Sequence, residues 1–147
     1  MPNYNLVFSF PVDSFRAGID EEASKAAQRA VGKEGQLLYD ALKIYSKDKN
    51  EIEQSIRDAM DSVALRLADM SKLAFANRIY NLSIYAPDIA ETQEVLEREI
   101  ARYVTVKVVS DWFTKRNPDT GGYYSELAVA ALAKVVASAR TRKMPER

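Results

Sequence analysis

The sequence predicts a mainly α-helical protein, a single-domain bundle of four to five helices carrying two short β-strands. Apolar residues recur at spacings of three and four over most of the 147 residues, the period of a helix with one buried face. Only two short stretches, "NLVFSFP" (5–11) and "NLSIYAP" (81–87), alternate with the period of a strand, and both stop at a proline. The composition, 47% hydrophobic and 29% charged, is that of an ordinary globular domain.

The first strand is expected near 4–10, with Tyr4, Leu6, Phe8 and Phe10 on one face and Asn3, Asn5 and Ser9 on the other. Pro11 lacks a ladder donor and ends it. Asp13 is placed to cap a helix whose buried stripe is Phe15, Ile19, Ala23, Ala27 and Ala30, closed by Gly32. A short amphipathic helix over 34–46 follows, with Leu38, Leu42 and Tyr45 in register. Asp48 and Glu51 form a capping-box pattern ahead of the strongest stripe in the chain: Ile52, Ile56, Met60, Val63, Leu67, Met70 and Ala74. That stripe predicts one helix over 51–75.

The second strand is expected near 79–85, with Tyr80, Leu82 and Ile84 facing inward. Pro87 ends it, and Asp88 with Glu91 forms another capping-box pattern. The run "YVTVKVV" (103–109) has strand-like propensity. Leu96, Ile100, Val104, Val108 and Trp112 nevertheless continue an unbroken i+4 series through it, so a helix is predicted up to Asn117-Pro118. "DTGG" then reads as a turn. Leu127, Ala131, Leu132, Val135 and Ala139 mark a last, alanine-rich helix, and residues 140–147 form a basic arm beyond a domain spanning 1–139. The two strands are most simply paired with each other against the helices. Leu6, Phe8, Leu82 and Ile84 then mark strands with open edges, which invite strands from another chain.

The chain has no histidine and no cysteine. Ser-His-Asp, Cys-His and His-based zinc arrangements are therefore excluded, as are disulfides. The carboxylates cluster in helix-like segments ("DEE" 20–22, "EIE" 51–53, "EVLERE" 94–99), where a solvated face is the natural reading. Gly121-Gly122 lacks the Lys-Ser/Thr of a phosphate-binding loop. No enzyme activity, catalytic residue, metal or cofactor is expected. The N-terminal segment has no positively charged region or cleavage site of a secretory signal, and no apolar run reaches the ~18 residues of a membrane span. Net charge is zero, 21 basic against 21 acidic, yet residues 1–100 carry 12 basic and 17 acidic side chains and residues 101–147 carry 9 and 4. Opposite charges on the two segments could pair neighbouring copies, or the basic end could contact nucleic acid.

The last third, "ARYVTVKVVSDWFTKRNPDTGGYYSELAVAALAKVVASARTRKMPER", resembles the C-terminal half of the small, mainly helical neck proteins of tailed bacteriophages, particularly those of gut Bacteroidales phages. The features shared are a helix ending in Trp112-Phe113, a polar turn, the pair Tyr123-Tyr124, an Ala/Leu helix, and a basic end with Arg140, Arg142 and Lys143. The resemblance implies a structural head–tail connector or adaptor, forming a ring with copies of itself in the virion neck, assembled in the host cytoplasm. Its partners would be the portal protein and other neck or tail proteins, with no membrane, and with DNA at most passing through the ring. The candidate interface residues are Trp112, Tyr123, Tyr124, Arg140, Arg142, Lys143 and Arg147; the alternative for Trp112 and its neighbour Phe113 is core at the end of a long helix, and for the basic residues a nucleic-acid contact or a solvated helix end. The alternative is a small helical DNA-binding or regulatory protein, which needs a basic recognition helix; the helix pair 34–46 and 51–75 carries mixed charge instead.

Overall fold

The computed structural model describes residues 4–31, 44 and 46–143. Strand β1 (Leu6–Pro11) runs directly into α1 (Val12–Val31), and a 3-10 turn (Ser46–Asp48) leads into α2 (Lys49–Arg66). A hairpin of β2 (Ser71–Ala76) and β3 (Ile79–Ile84) follows, then α3 (Gln93–Thr114) and α4 (Pro118–Arg140). The protein is thus mainly helical, as the spacing predicts, with three strands in place of two among the described residues. The expected helix over 34–46, with Leu38, Leu42 and Tyr45, lies outside the described residues, as do Gly32 and Arg147.

Helix α3 is the central element, packed against α1, α2 and α4. Its buried residues, among them Leu96, Ile100, Val104, Val108, Trp112 and Phe113, surround most of the helix rather than forming one stripe. That all-round burial explains why the β-branched run 103–109 is helical: its valines are covered by neighbouring helices, and burial outweighs local propensity. Alternating exposure along β1 leaves Leu6, Phe8 and Phe10 inside and Val7, Ser9 and Pro11 outside. Phe8, Phe10 and Phe15 stack in series, carrying the sheet's inner face onto α1.

The sheet is antiparallel in the order β1-β3-β2. The expected pairing of the two predicted strands is present, with Phe8 opposite Leu82 and Phe10 opposite Tyr80. The third strand corrects the predicted long helix. Helix α2 ends at Arg66, with Leu67 at its C-cap, and the chain reverses through Met70 N–H bonded to Leu67 O (2.9 Å). Met70 and Ala74 matched the helical stripe by spacing alone, whereas Leu73 and Phe75 face the same side as Leu82 and Tyr80 across the new pair. Because β3 lies in the centre, Leu82 and Ile84 are not edge residues; only Leu6 and Phe8 of those four lie on an edge strand.

Four helix starts also differ from expectation, the first being α1, which begins at Val12 so that Asp13 lies inside its first turn rather than capping it. Asp48 precedes α2 but its backbone (φ −90°, ψ 9°) is not the extended one of an N-cap and its side chain makes no cap bond, while Glu51 accepts from Arg116 instead (2.8 Å). Asp88 adopts a left-handed backbone (φ 54°), and α3 starts later, capped by Thr92 through Val95 N–H. "DTGG" is the first turn of α4 rather than a connecting turn. Asn117 caps it through Thr120 N–H, with Pro118 at the first helical position.

Candidate functional site

Four groups of residues could carry function, and each is built where two or more elements meet. At the α2–α3 seam, Asp111 accepts from Ser55 Oγ (2.6 Å) and from Lys107 Nζ (2.6 Å). One turn on, Arg116 lies 3.4 Å over the Trp112 ring while its guanidinium donates to Glu51 (2.8 Å) and to Trp112 O (2.8 Å). Trp112 is buried at 3% exposure, so the indole fills the core and only its Arg116 cover reaches the surface.

The second group separates the two tyrosines. Tyr123 is half exposed, whereas Tyr124 is buried and its hydroxyl donates to Glu22 Oε1 (2.8 Å) while accepting from Arg29 (3.2 Å). Arg102 approaches the other Glu22 oxygen (3.8 Å), so one carboxylate of α1 holds groups from α3 and α4. Burial pushes the Tyr124 phenol up to about 12, and the hydrogen bond and negative charge of Glu22 add to this. The ring of Tyr123 meets that of Tyr124 edge-on at 5.3 Å, which leaves its outer side free for a partner.

The third group is the basic end. Arg140 makes a two-toothed pair with Asp69 (2.8 and 3.0 Å) and also donates to Arg66 O. Arg142 donates to Ala139 O and its backbone bridges to Ile89, while Lys143 N–H donates to Asp88 O (2.7 Å). Residues 140–143 are therefore tied to the rest of the chain, and Arg140 is the last residue of α4 rather than the start of a free arm. Together with Glu22–Arg102 and Glu51–Arg116, the Asp69–Arg140 pair shows the acidic first part meeting the basic last part within one chain.

The Asp69–Arg140 pair predicts a pH dependence. The Arg140 hydrogen bond holds the Asp69 carboxyl below its ordinary value of 3.8. A carboxyl depressed in the folded state stabilises it above that ordinary value, and the stabilisation is lost as the pH falls through the folded value. Arg140→Gln should therefore lower the thermal midpoint near neutrality and shrink the difference from the parent as acid is added. A constant difference down to pH values where Asp69 is protonated would rule the pair out as its source.

The fourth group is the strand edges, and they are unequal. On β1, Pro11 has no N–H and its carbonyl accepts from Ser14 Oγ (2.6 Å), while Val7 O accepts from Gln93 Nε2 (2.9 Å). On β2, Leu73 is half-buried and Phe75 is 51% exposed, although both face the side of the core. Sequence reasoning missed β2; the available signal was the period-2 pair Leu73 and Phe75 just before Asn77, a residue that tolerates positive φ. Among the described residues no group of three or more His, Cys, Asp or Glu could hold a metal ion, and no helix is long and apolar enough to cross a membrane. Compared with protein-family models, curated proteins and solved structures, the chain matches none.

Proposed function

We propose that this chain is a structural virion protein, a ring-forming head–tail connector or adaptor in the neck of a tailed phage. The reading rests on the resemblance of residues 101–147, and the observation that carries it further is the outer face of α4 in that segment. Tyr123, Val129, Ala130, Ala133 and Ala137 are exposed there, Val129 at 71%, with Glu126 within the same stripe and Lys134 beside it. A long helix whose outward face is mostly small and apolar suits close contact with an adjoining subunit, and the one carboxylate within that face, Glu126, would need a donor from it. The polar clusters support the same reading, since Asp111, Glu22 and Asp69 each hold helices together and spend their oxygens on internal donors.

Ring contact of this kind would be heterologous, one face of α4 against an unlike face of the next copy, and closed by rotation. The earlier idea that opposite charges of the two segments join neighbouring copies loses support, because those charges meet inside the chain. No observation favours the DNA-binding alternative. Of the cations it relies on, Arg140 is engaged by Asp69 and the Arg142 guanidinium donates to Ala139 O.

Mass measurement of the purified protein, alone and with the portal protein of the same phage, tests this reading. The expected result is a discrete assembly of many copies, formed alone or on the portal, and lost in Val129→Glu. A protein that neither exceeds a dimer nor binds portal would sink it.

A further inference from the structure

We infer that β2 is a self-pairing edge through which two copies join their sheets antiparallel across a two-fold axis. The phase of the β2 ladder is fixed by the hairpin. Asn77 and Arg78 (φ 53° and 61°) form a two-residue turn, so Ala76 and Ile79 exchange hydrogen bonds and every second pair does the same. The bond from Tyr85 N–H to Met70 O (2.7 Å) confirms that phase at the other end of the strand. The backbone groups of Lys72, Ala74 and Ala76 therefore face β3, while those of Ser71, Leu73 and Phe75 face outward. No described residue bonds to the outward groups of Leu73 and Phe75.

The other edge is less open to strand addition. Pro11 offers no donor, its carbonyl is taken by Ser14, and Gln93 occupies Val7 O. A strand from outside is therefore better received at β2 than at β1, where only Ser9 keeps both of its outward groups. The β2 sequence "SKLAFA" is suited to itself. With the axis at Leu73, each outward residue meets an outward residue: Leu73 faces Leu73 of the second copy, and Ser71 faces Phe75. This register uses every outward group of both strands and sets each Lys72 opposite an Ala74. Moving it so that Ser71 faces Leu73 would put the two Lys72 ammonium groups directly opposite each other, which is unfavourable.

The side chains fit the same register. Leu73 and Phe75 of both copies would form one continuous apolar row on the inner face of the joined sheets. Each Phe75 would lie beside the other copy's Ser71, whose hydroxyl donates to Ala64 O near the end of α2 (3.4 Å). Phe75 is exposed at 51%, so pairing brings an exposed aromatic ring toward cover. The inference does not rest on the neck reading. A two-fold contact closes on two copies, so a ring needs other surfaces, and either proposal can fail without the other.

The test uses the absence of cysteine from the chain. Opposed residues in a hydrogen-bonded antiparallel pair have Cα atoms about 5.5 Å apart, within the range a disulfide spans. Leu73→Cys should convert to a covalent dimer on mild oxidation, whereas Ala76→Cys, at the hairpin tip, should not. Sedimentation of the Val129→Glu protein, in which the proposed ring contact is removed, should give a dimer, and adding Leu73→Pro, which removes an outward N–H but no ladder bond to β3, should halve the mass. Phe75→Lys provides a second monomerising variant should the proline disturb folding. A monomer at all concentrations, or equal cross-linking at residues 73 and 76, overturns the inference, including the outcome in which a strand of another protein occupies the edge.

Discussion

Leu67→Ala should lower the unfolding free energy by about 2–5 kcal/mol, the cost of a buried leucine truncated where its surroundings relax only in part. Leu67 is 0% exposed and closes α2: its N–H donates to Val63 O (3.1 Å) and its carbonyl accepts from Met70 N–H (2.9 Å). Its side chain belongs to the apolar core at the point where the chain passes from α2 to β2. A cavity there loosens both elements, since of the other apolar residues around the turn Met70 is buried but Ala68 is exposed and Leu65 points to solvent at 76% exposure. Leu65→Ala, two residues away in the same turn, should change stability by no more than about 0.5 kcal/mol. Denaturant unfolding of the two variants measures the contrast. Equal losses would mean that the register of the turn is misassigned.

That contrast also shows what the sequence could and could not disclose. Spacing placed Leu67 in the core correctly, because Ile52, Ile56, Met60, Val63 and Leu67 are all buried. It then ran on into Met70 and Ala74, since a helical period of three and four can be met by chance after the helix has ended. Nothing local to Arg66–Asp69 is a strong breaker; the reversal is imposed by β3, which takes β2 as its second neighbour. Long-range pairing of that kind has no local signature beyond the alternation of Leu73 and Phe75. The reverse holds for 103–109, where local propensity pointed to a strand and the i+4 series pointed to burial on a helix.

The candidate interface was legible only in part, for a similar reason. Trp112 and Tyr124 are buried, and sequence type alone could not separate Tyr124 from its exposed neighbour Tyr123. A helix turns by about 100° per residue, so adjacent tyrosines fall on different faces. Which face is inward depends on where α4 begins. Once "DTGG" is read as the first turn, Gly121, Tyr124 and Ala128 fall on one stripe toward α3, and Tyr123 falls beside it. Arg140 was likewise visible as a cation but not as the partner of Asp69, 71 residues away in sequence.

The two glycines of that first turn should respond to alanine in opposite directions. A Cβ on Gly121 would lie 2.6 Å from Thr114 N and 2.7 Å from Thr114 Cα, both backbone atoms of α3's last residue. Neither atom can swing aside as a flexible side chain could. Accommodation requires the start of α4 to move away from the end of α3, at the point where Ser110 Oγ donates to Gly121 O (3.3 Å) and Asn117 N–H donates to Phe113 O (2.7 Å). Overpacking of this kind costs about 1–3 kcal/mol and occasionally more. It outweighs the gain of up to about 1 kcal/mol that alanine brings over glycine in a helix. Gly122 has nothing within 4 Å of its Cβ position, so there the helix gain stands alone. Gly122→Ala should therefore raise the thermal midpoint and Gly121→Ala lower it, with Gly121→Val lower still. If both alanine variants stabilise, α3 and α4 do not make their closest approach at Gly121, and the packing that buries Tyr124 beside it is wrong as well.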